Sequence, residues 1–302
     1  MNDLTNAVSP PEQAGRPGGR IRSRRPGRRV LPWLPMAVIA LLTVFAVVGP
    51  WLIPYGESQG SLPGRLAPPF RTGGDGAFHL LGTDQLGRDI FVRLAYGARV
   101  SLLVGVVGVA LACLIGTMVG LLAGILNKSV DAALMRGTDV ALSIPGLLIA
   151  ILLASIFTPS IVTVFVSVGL LLWPTYARLI RGEVLVLKNS DFVALARVAG
   201  CSTWKIIVRH LLPNVLPSII VLATLQIGAA VVLEASISFL GVGLPPNKAS
   251  WGSMIDQGRQ YMSTSWWLTA IPGLFIFLAV MSFNALGDWA RVRFDPRLEG
   301  RR

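Results

Sequence analysis

The sequence predicts an all-α integral membrane protein with six transmembrane helices, and three observations carry that expectation. Of 302 residues, 53% are hydrophobic and only 14% are charged, against about 25% charged in a typical soluble domain. Six apolar runs are each long enough to cross a ~30 Å hydrocarbon core at ~1.5 Å per residue. With the N-terminal tail placed inside, 20 of the 27 Lys and Arg fall on the inner side and seven on the outer, the asymmetry that the positive-inside rule expects.

The elements follow in order. Residues 1–30 are polar and rich in Pro, Gly and Arg. They bury too little apolar surface to offset chain entropy, so a disordered cytoplasmic tail is expected, with Arg16 to Arg29 near anionic lipid. The alternative, a signal peptide, is not expected, because the apolar run that follows is too long and ends without a small-x-small cleavage site. The first span is expected from Trp33 to Pro54. The segment 55–99 forms the longest outer loop. Its first half is Gly/Pro-rich; in its second half Thr83 or Asp84 can cap a short interfacial helix, and Asp89 and Arg93 stand at the favourable i,i+4 spacing.

A core of five spans is expected over residues 100–290. The second span runs from Val100 to Ile125, with Gly116, Gly120 and Gly124 making a small face for close helix approach. The third runs from Leu134 to Phe157. Asp139 lies just inside it, within reach of Arg136, and Pro145-Gly146 can kink it. Asp139 either snorkels and pairs or faces a translocation path. The fourth span is expected from Ile161 to Leu179, the fifth from Val215 to Leu240, the sixth from Trp267 to Leu286. Gln226 and Glu234 lie in the fifth. An unpaired carboxylate in lipid is driven inward, so Glu234 either walls a solute path or bonds a neighbouring helix. Residues 291–302 are basic and expected inside.

Between the fourth and fifth spans, about 188–214, lies the most informative stretch. It is amphipathic: Val193, Ala196, Val198 and Ala199 precede Gly200, and Trp204, Ile207, Val208, Leu211 and Leu212 follow, interleaved with Lys205, Arg209 and His210. Gly200 offers a left-handed break between two short helices. Ser202 or Thr203 can cap the second, and Pro213 and Pro217 mark its passage into the next span. An amphipathic connector resting on lipid is the plainer interpretation.

The sequence excludes several classes. It holds no phosphate-cradling Gly-x4-Gly-Lys-Ser/Thr, dinucleotide fingerprint, Gly-x-Ser-x-Gly elbow or His-Glu-x2-His. Cys113 and Cys201 make neither a disulfide framework nor a metal site, and His79 and His210 stand far apart. No catalytic, cofactor or metal residue is therefore assigned. The net charge of +12 reflects topology rather than nucleic-acid binding.

Residues Phe192, Ala196, Arg197, Gly200, Trp204, His210, Leu212, Pro213 and Asn214 resemble the EAA loop of ABC-importer permeases. Ala194 stands where that pattern has Glu, and Leu195 replaces its first Ala. Four further strings resemble the dipeptide/oligopeptide permeases of the "C" type. These are Leu81-Gly-Thr-Asp-Gln-Leu-Gly-Arg-Asp through Leu102, Met135-Arg-Gly-Thr-Asp through Leu148, Glu234-Ala-Ser-Ile-Ser-Phe-Leu-Gly through Met254, and Asn284-x-x-Gly-Asp with a final Asp295-Pro-Arg. The resemblance covers about residues 31–298. It implies a type I ABC-importer permease fold and a non-enzymatic subunit that translocates di- or oligopeptides, or a related small solute, across a bacterial plasma membrane with both termini cytoplasmic. It further implies a second homologous permease, two ABC ATPase subunits (or one fused chain) that bind ATP and Mg, and an extracytoplasmic solute-binding protein. Coupling to the ATPases would fall to Phe192, Ala196, Arg197, Gly200, Trp204, Arg209, His210 and Pro213. Asp139, Gln226, Glu234 and Asn284 are the path candidates. The rival class is an ion-coupled secondary transporter acting as a single chain.

Overall fold

The computed structural model describes residues 32–52 and 56–294. The expected tail, the end of the first span at Pro54 and residues 295–302 lie outside the described residues. The chain runs through α1 (Trp33–Leu52), a small antiparallel hairpin of β1 (Arg71–Thr72) and β2 (Phe78–His79), α2 (Ile90–Ile125), α3 (Lys128–Ser143), α4 (Gly146–Ile156), α5 (Ile161–Leu187), α6 (Asp191–Val198), α7 (Thr203–Ile206), α8 (Leu212–Phe239), α9 (Trp251–Gly258) and α10 (Trp267–Phe294). Among the described residues five helices are long and apolar enough to cross a membrane, and six if α3 and α4 form one bent span.

Local chemistry sets the helix starts. Asp89, Asn127, Ser160 and Ser202 each accept a backbone N–H at the head of α2, α3, α5 and α7, and Ser250 makes a reciprocal capping box with Ser253 on α9. Helix α2 therefore begins at Ile90, ten residues before the expected Val100. Neither Thr83 nor Asp84 caps it. The Thr83 hydroxyl donates to the Gly64 carbonyl and accepts from Ala67 N–H. Asp84 is taken by two arginines. The expected Asp89–Arg93 pair does not form either, because Asp89 both caps α2 and accepts from His79 Nδ1 at 2.8 Å.

The third span is broken rather than kinked: α3 and α4 meet at 86°. Pro145 lacks an N–H and forces Ile144 into extended backbone (φ −89°, ψ 126°). Helix α5 continues eight residues beyond the expected Leu179, to Leu187. Pro213 and Pro217 do not end a helix. A π-turn over Ile207–Leu211 absorbs the missing donor, and α7 flows through it into α8.

The helix pair α2–α5 is the spine of the bundle. Gly116 meets the Trp173 carbonyl and Tyr176, Gly120 meets the Ala177 carbonyl and Ile180, and Gly124 meets Val184. No α2 side chain stands between the helices at these three positions, so dispersion contact is gained along the seam. Helix α1 lies against the N-terminal half of α2, where the Arg99 guanidinium donates to the Ala46 and Val47 carbonyls near the end of α1. At one end of α2 the hairpin segment and α9 gather; at the other end lie α6 and α7.

Candidate functional site

The α6–α7 end is built from alternating commitments of apolar residues. Val193 and Ala196 of α6 and Ile206, Ile207 and Leu211 pack with Ile180 and Val184 of α5 in one buried cluster. The rest of the amphipathic stripe stays outside: Leu195 is 68%, Val198 88% and Trp204 71% exposed. Only part of the expected stripe is thus used internally. Gly200 adopts φ +76°, the left-handed conformation that lets α6 stop and α7 leave in a new direction. Ser202 accepts the Lys205 N–H and starts α7.

The eight coupling candidates divide accordingly. Ala196 points into the cluster and shapes α6 from within. Phe192, Arg197, Trp204, Arg209 and Pro213 are exposed, and His210 is half-buried. The Phe192 and His210 rings lie 6.3 Å apart and span the break at Gly200. Two polar ties brace the bundle next to this end. Asp131 of α3 takes a two-pronged bond from Arg181 of α5, at 2.5 and 2.8 Å. Lys188 donates to the Gly124 carbonyl at the end of α2.

The four path candidates are not brought together in one pocket. Asp139 pairs not with Arg136 but with Arg178 of α5 at 2.8 Å, the two side chains 64% and 58% exposed. Asn284 is exposed on α10, its Oδ1 close to Gly228 of α8. Gln226 is half-buried. Glu234 is fully buried and accepts from Ser101 of α2 and Ser238 of α8, each at 2.7 Å. Of the two roles open to Glu234, the geometry within this chain matches the helix-to-helix bond. Replacing Glu234 with Leu leaves two buried hydroxyls without an acceptor, a loss of about 1–3 kcal/mol. Glu234→Leu is expected to lower the thermal midpoint of the detergent-solubilised protein, and Glu234→Gln, which retains an acceptor, to lower it much less.

The opposite end of α2, where the hairpin segment and α9 gather, carries a polar clamp that sequence spacing did not reveal. Arg88 and Arg93 both donate to Asp84 Oδ2, at 2.7 and 2.9 Å, and both also reach Gln257 Oε1 of α9, at 3.0 and 2.9 Å. Trp251 of α9 is fully buried and donates to the Leu94 carbonyl. Glu57 accepts from Lys248 Nζ and Ala249 N–H, and this hydrogen bond raises the pKa of the Lys248 ammonium. The strings Leu81–Leu102 and Glu234–Met254 marked this region by resemblance; the long-range partner Gln257 left no local signal.

Residues 116–300 match the family described as the inner membrane component of binding-protein-dependent transport systems. The chain belongs to this family. The permease is 36% identical over 301 residues, 100% of its own length and 99% of the relative's, to the probable D,D-dipeptide transport system permease protein DdpC of Escherichia coli (strain K12). It is 38% identical to the di/tripeptide transport system permease protein DppC of Pseudomonas aeruginosa (strain UCBPP-PA14), covering 86% of each chain. It is 35% identical to the oligopeptide transport system permease protein OppC of Haemophilus influenzae, covering 87% of this chain and 83% of that one. Its fold is shared with a chain of the inward-facing MetNI methionine ABC transporter, with a TM-score of 0.55 and 18% identity over 66% of the permease and 94% of that chain. The fold is therefore that of a type I ABC-importer permease, and the protein is a multi-pass membrane transport component.

Proposed function

We propose that this permease is one half of the membrane pathway of an ATP-driven importer for di- or oligopeptides or a related small solute. An extracytoplasmic binding protein delivers the solute, a second homologous permease completes the path, and two ATPase subunits, or one fused chain, bind ATP and Mg and dock on the α6–α7 end. Both termini then lie in the cytoplasm. The names of the relatives support the peptide class. The observation that carries the ATPase assignment is the pair of short helices hinged at Gly200, which keep Leu195, Val198 and Trp204 exposed while seated on their own buried cluster. A rigid base with an exposed apolar crown suits a partner with a matching cleft. Closure of the ATPases would push α6 and α7, and the α5 spine would carry that displacement into the spans as a switch between packed arrangements.

The test is Gly200→Val. Nothing lies within 4 Å of a Cβ built there, so the substitution acts through backbone strain of about 1–3 kcal/mol rather than by collision. The α6–α7 angle is expected to change while insertion proceeds. Solute uptake in reconstituted vesicles should fall at least about tenfold with normal membrane yield of the permease. Uptake at the parent rate would show that the hinge does not couple.

A further inference from the structure

Helix α4 is thinly supported by its own chain. Among its described residues only Ala150 is buried, and the 86° break at Pro145 turns it away from the axis of α3. Between α4 and the helices α8, α9 and α10 lies an open groove of about 420 Å³, within the ~300–1,000 Å³ of small-molecule sites. Leu147 of α4, Val232, Phe239 and Leu240 of α8, Ile255 of α9 and Ile276 of α10 line it.

The lining is apolar nearly throughout. Ser236 is its single polar side chain, and that hydroxyl donates to the Val232 carbonyl at 2.8 Å. A peptide laid in the groove would leave its backbone carbonyls without donors, which costs free energy at each. A hydrocarbon chain needs no hydrogen bond. Polarity changes at one end of the groove. The Arg259 guanidinium lies 5.5 Å from the centre of the Phe239 ring, so a cation stands where α8 ends. Its Nε pairs with Asp256 at 3.2 Å. Its two terminal nitrogens make no hydrogen bond among the described residues, and the side chain is 57% exposed. From Phe239 the apolar lining continues to Val232, ~10 Å along α8 at ~1.5 Å per residue.

We propose that this groove seats one acyl chain of a membrane phospholipid, with the headgroup phosphate on Arg259. A cation followed by an apolar trough along one helix matches the order of charge and hydrocarbon along a phospholipid. Arginine binds phosphate through two parallel N–H bonds, and the two terminal nitrogens supply them. The Asp256 carboxylate opposes an anion, but it sits on the Nε side and orients the guanidinium. Lipid tails are as apolar as these side chains, so the tail gains little over the bilayer; the phosphate contact decides how long the lipid stays. The seated chain props α4 against α8 and gives the broken span packing that its own residues lack. The proposal needs only a chain in a membrane and does not rest on the importer assignment.

The test uses the permease isolated in mild detergent with the subunits that accompany it. The probes are a phosphatidylglycerol with a photoreactive diazirine in one acyl chain, and a diacylglycerol with the same chain and no phosphate. In the parent, the phosphatidylglycerol is expected to label residues 232–240 or 251–258 well above α1, where Leu41 and Val44 are equally open to lipid. The diacylglycerol should show no such preference. Arg259→Gln should lower groove labelling about tenfold, and Val232→Trp, which fills the groove, should bring it down to the level of α1. Equal labelling of groove and α1 by the phosphatidylglycerol, equal groove labelling by the two probes, or parent-level labelling of Arg259→Gln overturns the proposal. The comparison of probes on the parent needs no variant, so a poorly folded Val232→Trp does not decide the outcome. Excess dialanine or trialanine should leave the labelling unchanged. Displacement by either peptide, or capture of a second permease by benzoylphenylalanine at position 232, gives the groove another occupant and overturns the proposal.

Discussion

Replacing Gly120 with leucine is expected to remove folded permease from the membrane. A Cβ at position 120 would lie 2.7 Å from the Ala177 carbonyl oxygen and 2.8 Å from Ile180 Cβ. Neither neighbour is the free end of a flexible chain; one is the backbone of α5. Relief requires the α2 and α5 axes to separate, and that loosens the flanking contacts of Gly116 with Tyr176 and of Gly124 with Val184. Overpacking of this kind costs about 1–3 kcal/mol, and more where backbone is the obstacle. In lipid no hydrophobic force between helices makes up the loss, because packing itself drives association. Leucine is the better helix former, so a fall in yield reports packing and not helix propensity. Gly182→Leu on α5 is the control. Nothing lies within 4 Å of a Cβ there, and its yield is expected to match the parent. Equal yields for both variants would mean that the α2–α5 seam is not the spine of the bundle.

The second large effect is expected at the coupling end. Converting Trp204 and Val198 together to serine should abolish retention of the ATPase subunits while leaving the permease folded. Both side chains are exposed, so the buried cluster of Val193, Ile206, Ile207 and Leu211 is untouched. A central aromatic anchor at an interface is worth about 2–4 kcal/mol. At 1.4 kcal/mol per tenfold, that is a loss of about 30-fold or more in affinity. Ala196 gives the contrasting case. It is buried, so Ala196→Leu should distort α6 and reduce thermal stability as well as coupling. A permease that keeps its ATPase subunits after losing Trp204 and Val198 would assign docking to some other surface.

What sequence made legible follows from the range over which each signal acts. The glycine face of α2, the break at Gly200 and the cap at Ser202 are written within a few residues of where they act and are found as expected; the apolar runs are found too, but α2 starts earlier, α5 ends later and the third span is broken at Pro145. Partner choice is written at long range. Asp139 reaches Arg178 rather than Arg136, because α3 lies against α5 and brings Arg178 within 2.8 Å. Arg93 turns to Asp84 because Asp89 is already engaged by His79 and by the head of α2. The early start of α2 was obscured because Arg93 and Arg99 interrupt the apolar run. Both guanidiniums are satisfied by groups distant in sequence, Gln257 for one and the end of α1 for the other. Periodicity marked the amphipathic stripe around Gly200 but not its division into a buried half and an exposed half. That division depends on α5 covering one side only.

The claim that α6 and α7 are the seat of an ATP-hydrolysing partner is tested most directly by affinity isolation of the tagged permease in mild detergent, followed by an ATPase assay on the isolate. The account predicts that a second permease and ATP-hydrolysing chains accompany the parent protein, and that the Trp204→Ser/Val198→Ser variant retains the second permease but not the ATPases. A parent permease that purifies alone, and moves solute in vesicles on an ion gradient without ATP, would contradict it.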